Sequence, residues 1–364
     1  MRTFVRRLAL KAAAILLAVA AISFAVRVCR LREIVKAVET PNGIDDEEFI
    51  KVGGIEQWVT IRGQDRGNPA LLLLHGGPGN AFQALTRRAY LPWEKQFTVV
   101  QWDQRGAGKT FGRSGPVGPD VTVDRMVLDA AEVAEYARTK LGKPKIILVG
   151  HSWGSILGVR LAKKRPDLFY AYVGTGQVVN HANGQLIAYG QLKAEARTRG
   201  DRPAEQQLEA VGPPPYDSND KKLVITRWAN KFEPGNPSNW TILSTVLFDS
   251  SATIGDFRDL IRGIRTSEDH FRGMAEEFEL PALGTDFAVP IFLFDGAVDN
   301  VTPIASLRPW LDSLRAPEKE LVLIPDAGHN AMVTRTHEFL GLLVGRVRPI
   351  AVRPEPIARS LPAK

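Results

Sequence analysis

Cysteine is almost missing from this chain. The single Cys29 excludes an intrachain disulfide, so the fold must hold by its core alone. Histidine is scarce as well: six residues in 364, with no His-Glu-x-x-His and no paired Cys and His spacing, which leaves a metal site without a ligand set. Net charge is lacking on the body. The chain carries a formal +7, but residues 1–36 alone hold eight Lys or Arg against one Glu, so the remaining 328 residues are neutral overall. A nucleic-acid groove needs clustered cations on the folded body, and that class is set aside. A nucleotide reading of Gly106-Ala107-Gly108-Lys109-Thr110 fails for want of the first Walker glycine, since Asp103 stands there. There is no internal repeat.

The charged N-terminal segment reads as targeting. Arg2, Arg6, Arg7 and Lys11 precede the run 12–26, whose fifteen residues make about 22 Å of helix, short of a hydrocarbon core of about 30 Å unless Lys11 snorkels. Ser23-Phe24-Ala25 offers small residues for a signal peptidase, whereas Arg27, Arg30 and Arg32 just beyond favour a retained anchor. The expectation is a membrane contact through residues 1–36, with the folded body outside the cytoplasm, either anchored or exported after cleavage.

Beyond it, β-rich runs at 49–52 and 57–61 flank Gly53-Gly54 and read as a hairpin. The apolar runs 70–74 and 146–149 have the composition of parallel strands buried on both faces, and 97–102, 290–294 and 320–324, with another strand beginning at 171–173, read as further strands. Amphipathic stretches separate them, notably 123–141 with Val123, Val127, Ala130, Ala134, Ala137 and Leu141 on one stripe. This alternation predicts an α/β fold with a mostly parallel central sheet flanked by helices. Between 180 and 286 the strand signal stops, and a helical cap over the carboxyl edge of the sheet is expected there. The core is then 37–179 and 287–347, and 348–364 is a proline-bearing tail expected to be disordered.

The run 146–149 enters Gly150-His151-Ser152-Trp153-Gly154, and an amphipathic helix pattern follows at once. Strand, Gly-x-Ser-x-Gly and helix together make a nucleophile elbow: the turn is too sharp for side chains at its flanks, and Ser152 is exposed at a strand end. A serine hydroxyl needs a base in contact and an acid to orient that base. Asp299 follows one later strand and His329 the next, each leaving the same edge as Ser152. Asp295 competes with Asp299 as the acid. The N–H groups of Trp153 and Gly77 are the candidate oxyanion hole, Gly77 lying in the glycine-rich His75-Gly76-Gly77-Pro78-Gly79. His75 and His151 read as residues that order loops, His337 as the start of the last helix, and His181 and His270 as surface or cap residues.

His75-Gly76-Gly77-Pro78-Gly79, Asp103-Gln104-Arg105-Gly106 and Gly150-His151-Ser152-Trp153-Gly154-Ser155 together resemble the proline iminopeptidase branch of the α/β-hydrolase superfamily. The resemblance implies the α/β-hydrolase fold with a helical cap, no cofactor, and release of an N-terminal residue, typically proline, from a small peptide. It also implies acidic cap residues that hold the free amine, for which Glu276, Glu277 and Glu279 are candidates. Two other readings stand beside a serine aminopeptidase: an esterase or amidase acting on a small uncharged acyl substrate, and a non-catalytic binding protein on the same scaffold.

Overall fold

The computed structural model describes residues 2–81, 83–236, 238–248 and 252–353. Eight strands form one sheet: β1 (Ile44–Val52), β2 (Ile55–Gly63), β3 (Ala70–Leu74), β4 (Thr98–Trp102), β5 (Ile146–His151), β6 (Phe169–Thr175), β7 (Ile291–Gly296) and β8 (Lys319–Ile324). Their order is β1-β2-β4-β3-β5-β6-β7-β8. The hairpin turns at Gly53 and Gly54, both at positive φ, and β2 runs antiparallel to β4. Every pairing from β4 through β8 is parallel. All their carboxyl ends therefore meet at one edge.

The apolar runs are continuous because both faces are covered. Leu72, Leu74, Ile146 and Leu148 point into one core with the helices Val123–Lys140 and Trp153–Lys164, while Leu71, Leu73, Ile147 and Val149 point into a second with Trp93, Phe339 and Leu343. Successive strand residues face opposite ways, so both sets must be apolar.

Between β6 and β7 lie five helices, His181–Arg199, Arg202–Val211, Asn219–Phe232, Asn239–Phe248 and Ile254–Glu276, with no strand among the described residues there. They are called the cap helices below. Ile254–Glu276 crosses the loop after β3: the Gly79 backbone lies against the Gly263 carbonyl, too close for a side chain, and Ser267 donates to the Gly106 carbonyl at 3.1 Å.

Two terminal expectations are revised. The helix Arg2–Lys36 is not separate from the body, since Ile34 is fully buried, its carbonyl accepts from Arg62 at 2.8 Å, and Arg27 donates to the carbonyls of Leu247 and Ala252 at 3.0 Å. Among the described residues no helix is long and apolar enough to cross a membrane, so a spanning anchor draws no support from the structure. At the other end, the tail expected to be disordered from Arg348 begins with a helical turn, Arg348–Val352. Arg348 is tied to the Gln96 carbonyl at 3.2 Å. The rest of that tail, 354–364, lies outside the described residues.

Candidate active site

The elbow forms because the helix after β5 starts too close to the ends of β3 and β5 for side chains. A Cβ on Gly154 would lie 2.1 Å from the Leu74 carbonyl oxygen, and one on Gly150 2.7 Å from the Gly154 oxygen. Ser152 between them has φ 52 and ψ −120, a backbone state that costs about 1–3 kcal/mol and persists only where the surroundings enforce it. The enforcement is visible: the Ser152 N–H donates to Thr175 O at 3.0 Å, and Ser155 Oγ donates to the Ser152 carbonyl at 2.6 Å.

Asp299 and His329 form a buried pair. His329 Nδ1 is 2.9 Å from Asp299 Oδ2, which also accepts the Thr302 hydroxyl at 2.7 Å. Asp299 Oδ1 accepts the N–H groups of Val301 and Thr302, each at 2.7 Å. With its oxygens so occupied, the carboxylate holds the proton of His329 on Nδ1 and leaves Nε2 as a lone-pair base. Burial pushes the Asp299 carboxyl up, but the His329 imidazole and these donors outweigh it and hold the pKa below the ordinary carboxylate range. Burial likewise depresses His329, and the charges of Asp299, Glu233 and Asp295 reverse this to a raised value. Asp295 is not the hydrogen-bond partner of His329; it is the last residue but one of β7, accepts the Gln177 N–H at 3.3 Å, and burial together with the Asp299 charge pushes it up to about 7.

The loop after β3 is set by a neutral histidine. His75 Nε2 accepts the Gln104 N–H at 3.1 Å, so its proton sits on Nδ1, facing the Gly76 carbonyl at 2.8 Å; burial lowers its pKa to about 4. Gln104 then receives the Trp153 indole N–H at 3.1 Å and donates to the His75 carbonyl at 3.0 Å. Asp103-Gln104-Arg105 thus ties the two stretches that carry Gly77 and Trp153. Its Arg105 is itself held by Asp129 at 2.9 Å. His151 points the other way, its Nε2 3.1 Å from the His329 carbonyl.

Ser152, Trp153 and Gly77 all line one cavity of about 750 Å³ between the sheet edge and the cap. Its walls include Ile156, Val178, Ile264 and Phe271, and the cap side adds Lys222, Arg265 and Glu268. The carboxylates expected to hold an amine lie elsewhere: Glu279 accepts from Asn180 at 3.0 Å, Glu277 is exposed and away from the cavity, and the Glu276 side chain lies outside the described residues. Two cap acids that the sequence reading passed over take more telling positions. Glu268 opens onto the cavity, and Glu233 is buried against the loops of Asp299 and His329. The helical spacing of Ile261, Ile264, Glu268 and Phe271 was a signal for the first. Nothing local signals the second.

The α/β hydrolase fold family model matches residues 69–336, and the chain belongs to that family. It is a hydrolase of proline iminopeptidase-like sequence. The proline iminopeptidase of Lactobacillus delbrueckii subsp. bulgaricus is 30% identical over 310 residues, covering 82% of this chain and 96% of that protein. The probable aminopeptidase YbaC of Bacillus subtilis is 27% identical over 305 residues, covering 82% and 95%. Among solved structures, a proline iminopeptidase-related protein from Thermus thermophilus superposes with a TM-score of 0.54 at 21% identity, covering 83% of this chain and 96% of that one.

Proposed function

We propose that the protein is a serine aminopeptidase of the proline iminopeptidase type, acting on short peptides through an acyl-enzyme. In this reading Ser152 Oγ attacks the carbonyl of the N-terminal residue while His329 Nε2 takes its proton. Asp299 keeps the imidazole oriented and stabilises its cationic form. The N–H groups of Trp153 and Gly77 receive the oxyanion, each such donor being worth roughly 3–4 kcal/mol in the transition state. His329 then returns the proton to the departing amine, and water releases the acyl group by the same steps in reverse roles.

The observation that carries the peptidase reading is Glu268, a carboxylate opening onto the cavity that Ser152 lines. Glu268 keeps contact with solvent, and the partial desolvation that pushes its carboxyl up, offset in part by Lys222, is one that a substrate ammonium would relieve. A free amine drawn into a cavity walled by Ile156, Ile264 and Phe271 needs such a partner.

The test is a rate comparison on the full chain among a proline anilide, its N-acetylated twin, an alanine anilide and a short-chain ester. Ser152→Ala should abolish all turnover. Glu268→Gln should raise KM for free-amine substrates about tenfold and leave the ester unchanged. Ester hydrolysis that ignores the free amine would replace the aminopeptidase by an esterase or amidase on small acyl groups; ligand binding indifferent to Ser152→Ala would mark a binding protein.

An exported or membrane-tethered location belongs to the same proposal, resting on the apolar run 12–26 and the arginines around it. N-terminal sequencing of protein recovered from membrane and soluble fractions checks it. Recovery only in the cytoplasm would refute it.

A further inference from the structure

Glu233 follows directly on the cap helix Asn219–Phe232 and is only 4% exposed. Its two carboxylate oxygens are divided between two loops of the core. Oε1 accepts the Asn300 N–H at 2.7 Å, next to Asp299, while Oε2 accepts the N–H of His329 itself at 3.0 Å. Asn236 donates to Oε2 at 3.2 Å from the cap side. The carboxylate lies so close over Gly328 that a Cβ there would stand 2.2 Å from Oε2, which is why the residue before His329 has no side chain. Through these bonds both of its oxygens are turned to the backbone of the two loops.

We infer that Glu233 is a positioning residue for catalysis, the clamp by which the cap holds the Asp299 loop and the His329 loop in register. This rests on the reading of Ser152, His329 and Asp299 as the reacting set. A carboxylate is costly in this place: it is buried, the Asp299 charge stands nearby, and no arginine or lysine pairs with it among the described residues. Its favourable partners are two backbone N–H groups, the Asn236 amide and the imidazole of His329. A group used only to join cap and core could be neutral; a charge facing His329 also favours the imidazolium that forms as Ser152 loses its proton. The other ionisable groups around His329 are Asp299 and Asp295 from the β7 side and His151 from the end of β5.

The test uses the full chain with Glu233→Gln, Glu233→Asp and Ser152→Ala, a proline anilide and a short-chain ester, and pH profiles alongside thermal unfolding. Glu233→Gln should lower kcat about 10- to 100-fold on both substrates, with KM within about twofold. Without the neighbouring negative charge His329 holds its proton less tightly, so the acid limb of kcat/KM should move to lower pH by about half a unit. Glu233→Asp keeps the charge but shortens the reach, and should lose kcat without that shift; it carries the test if the Gln variant does not fold. A rise in KM confined to the free-amine substrate would overturn the inference and place Glu233 on the substrate. A rate loss that only tracks the unfolded fraction, with an unmoved pH profile, would overturn it too. Turnover that survives Ser152→Ala would instead bring down the catalytic assignment itself, and the inference with it.

Discussion

Thr302 does more than its place after Asp299 suggests. Its N–H and its hydroxyl each donate to that carboxylate at 2.7 Å, on different oxygens, and the hydroxyl also lies 3.2 Å from His329 Nδ1. It therefore helps to fix which way the carboxylate faces the imidazole. Thr302→Val keeps the volume and the backbone donor and removes only the hydroxyl. The expected result is a fall in kcat of about tenfold with KM unchanged, and a stability loss of about 1–2 kcal/mol from the acceptor left short of a donor. Steady-state kinetics and urea melts on the same preparation check both; unchanged kcat would show that the backbone donors suffice.

At the scale of elements, the helix Ile254–Glu276 carries the roof of the cavity on one stripe. Phe271, fully buried, packs its ring 4.9 Å from that of Trp153, joining cap to elbow. Phe271→Ala should cost about 3–5 kcal/mol of stability, as large-to-small changes at buried aromatics do, and should raise KM more than it lowers kcat. Chemical denaturation and kinetics on a small substrate measure the two effects, and a stability change below about 1 kcal/mol would mean that the cap packs on the elbow without this ring.

Strands β3, β5 and β7 were legible because burial on both faces writes itself as unbroken apolar runs, and they begin or end within a residue or two of the reading. The placement of Ser152, Asp299 and His329 beyond strand ends was legible because each follows a strand-like run. Glu233 was not, since its meaning lies in contacts with residues 67 and 96 positions away, and nothing in Phe232-Glu233-Pro234 announces them. The joint between Arg2–Lys36 and the body escaped for the same reason: Ile34 reads as the end of a targeting segment until Arg62 is placed beneath it.

Taken as a whole, the molecule buries ionisable groups with opposed effects on its stability. His75 and His151 are held down to about 4 and about 3, chiefly by burial, so between there and the ordinary histidine value of about 6.5 the unfolded chain binds more protons, and stability rises with pH. Asp103 and Asp295 are pushed by burial up to about 7, so from the ordinary value of about 4 upward the native state binds more protons, and stability falls with pH. The shifts are of similar size and opposite sign, and over about pH 4 to 6.5 these four groups nearly cancel. Asp295→Asn removes one side of that balance. At pH 4, where the wild-type carboxyl is protonated in the fold, the variant should match it; by pH 8 it should be more stable by about 1–3 kcal/mol, having no buried charge to hold next to Asp299. Its stability should therefore climb relative to wild type across pH 4 to 7. Urea unfolding of both proteins at half-unit steps of pH measures the difference; the other titrating groups are common to the pair apart from the pull of Asp295 on His329, and a flat difference across that window would mean that Asp295 is ionised in the folded protein throughout.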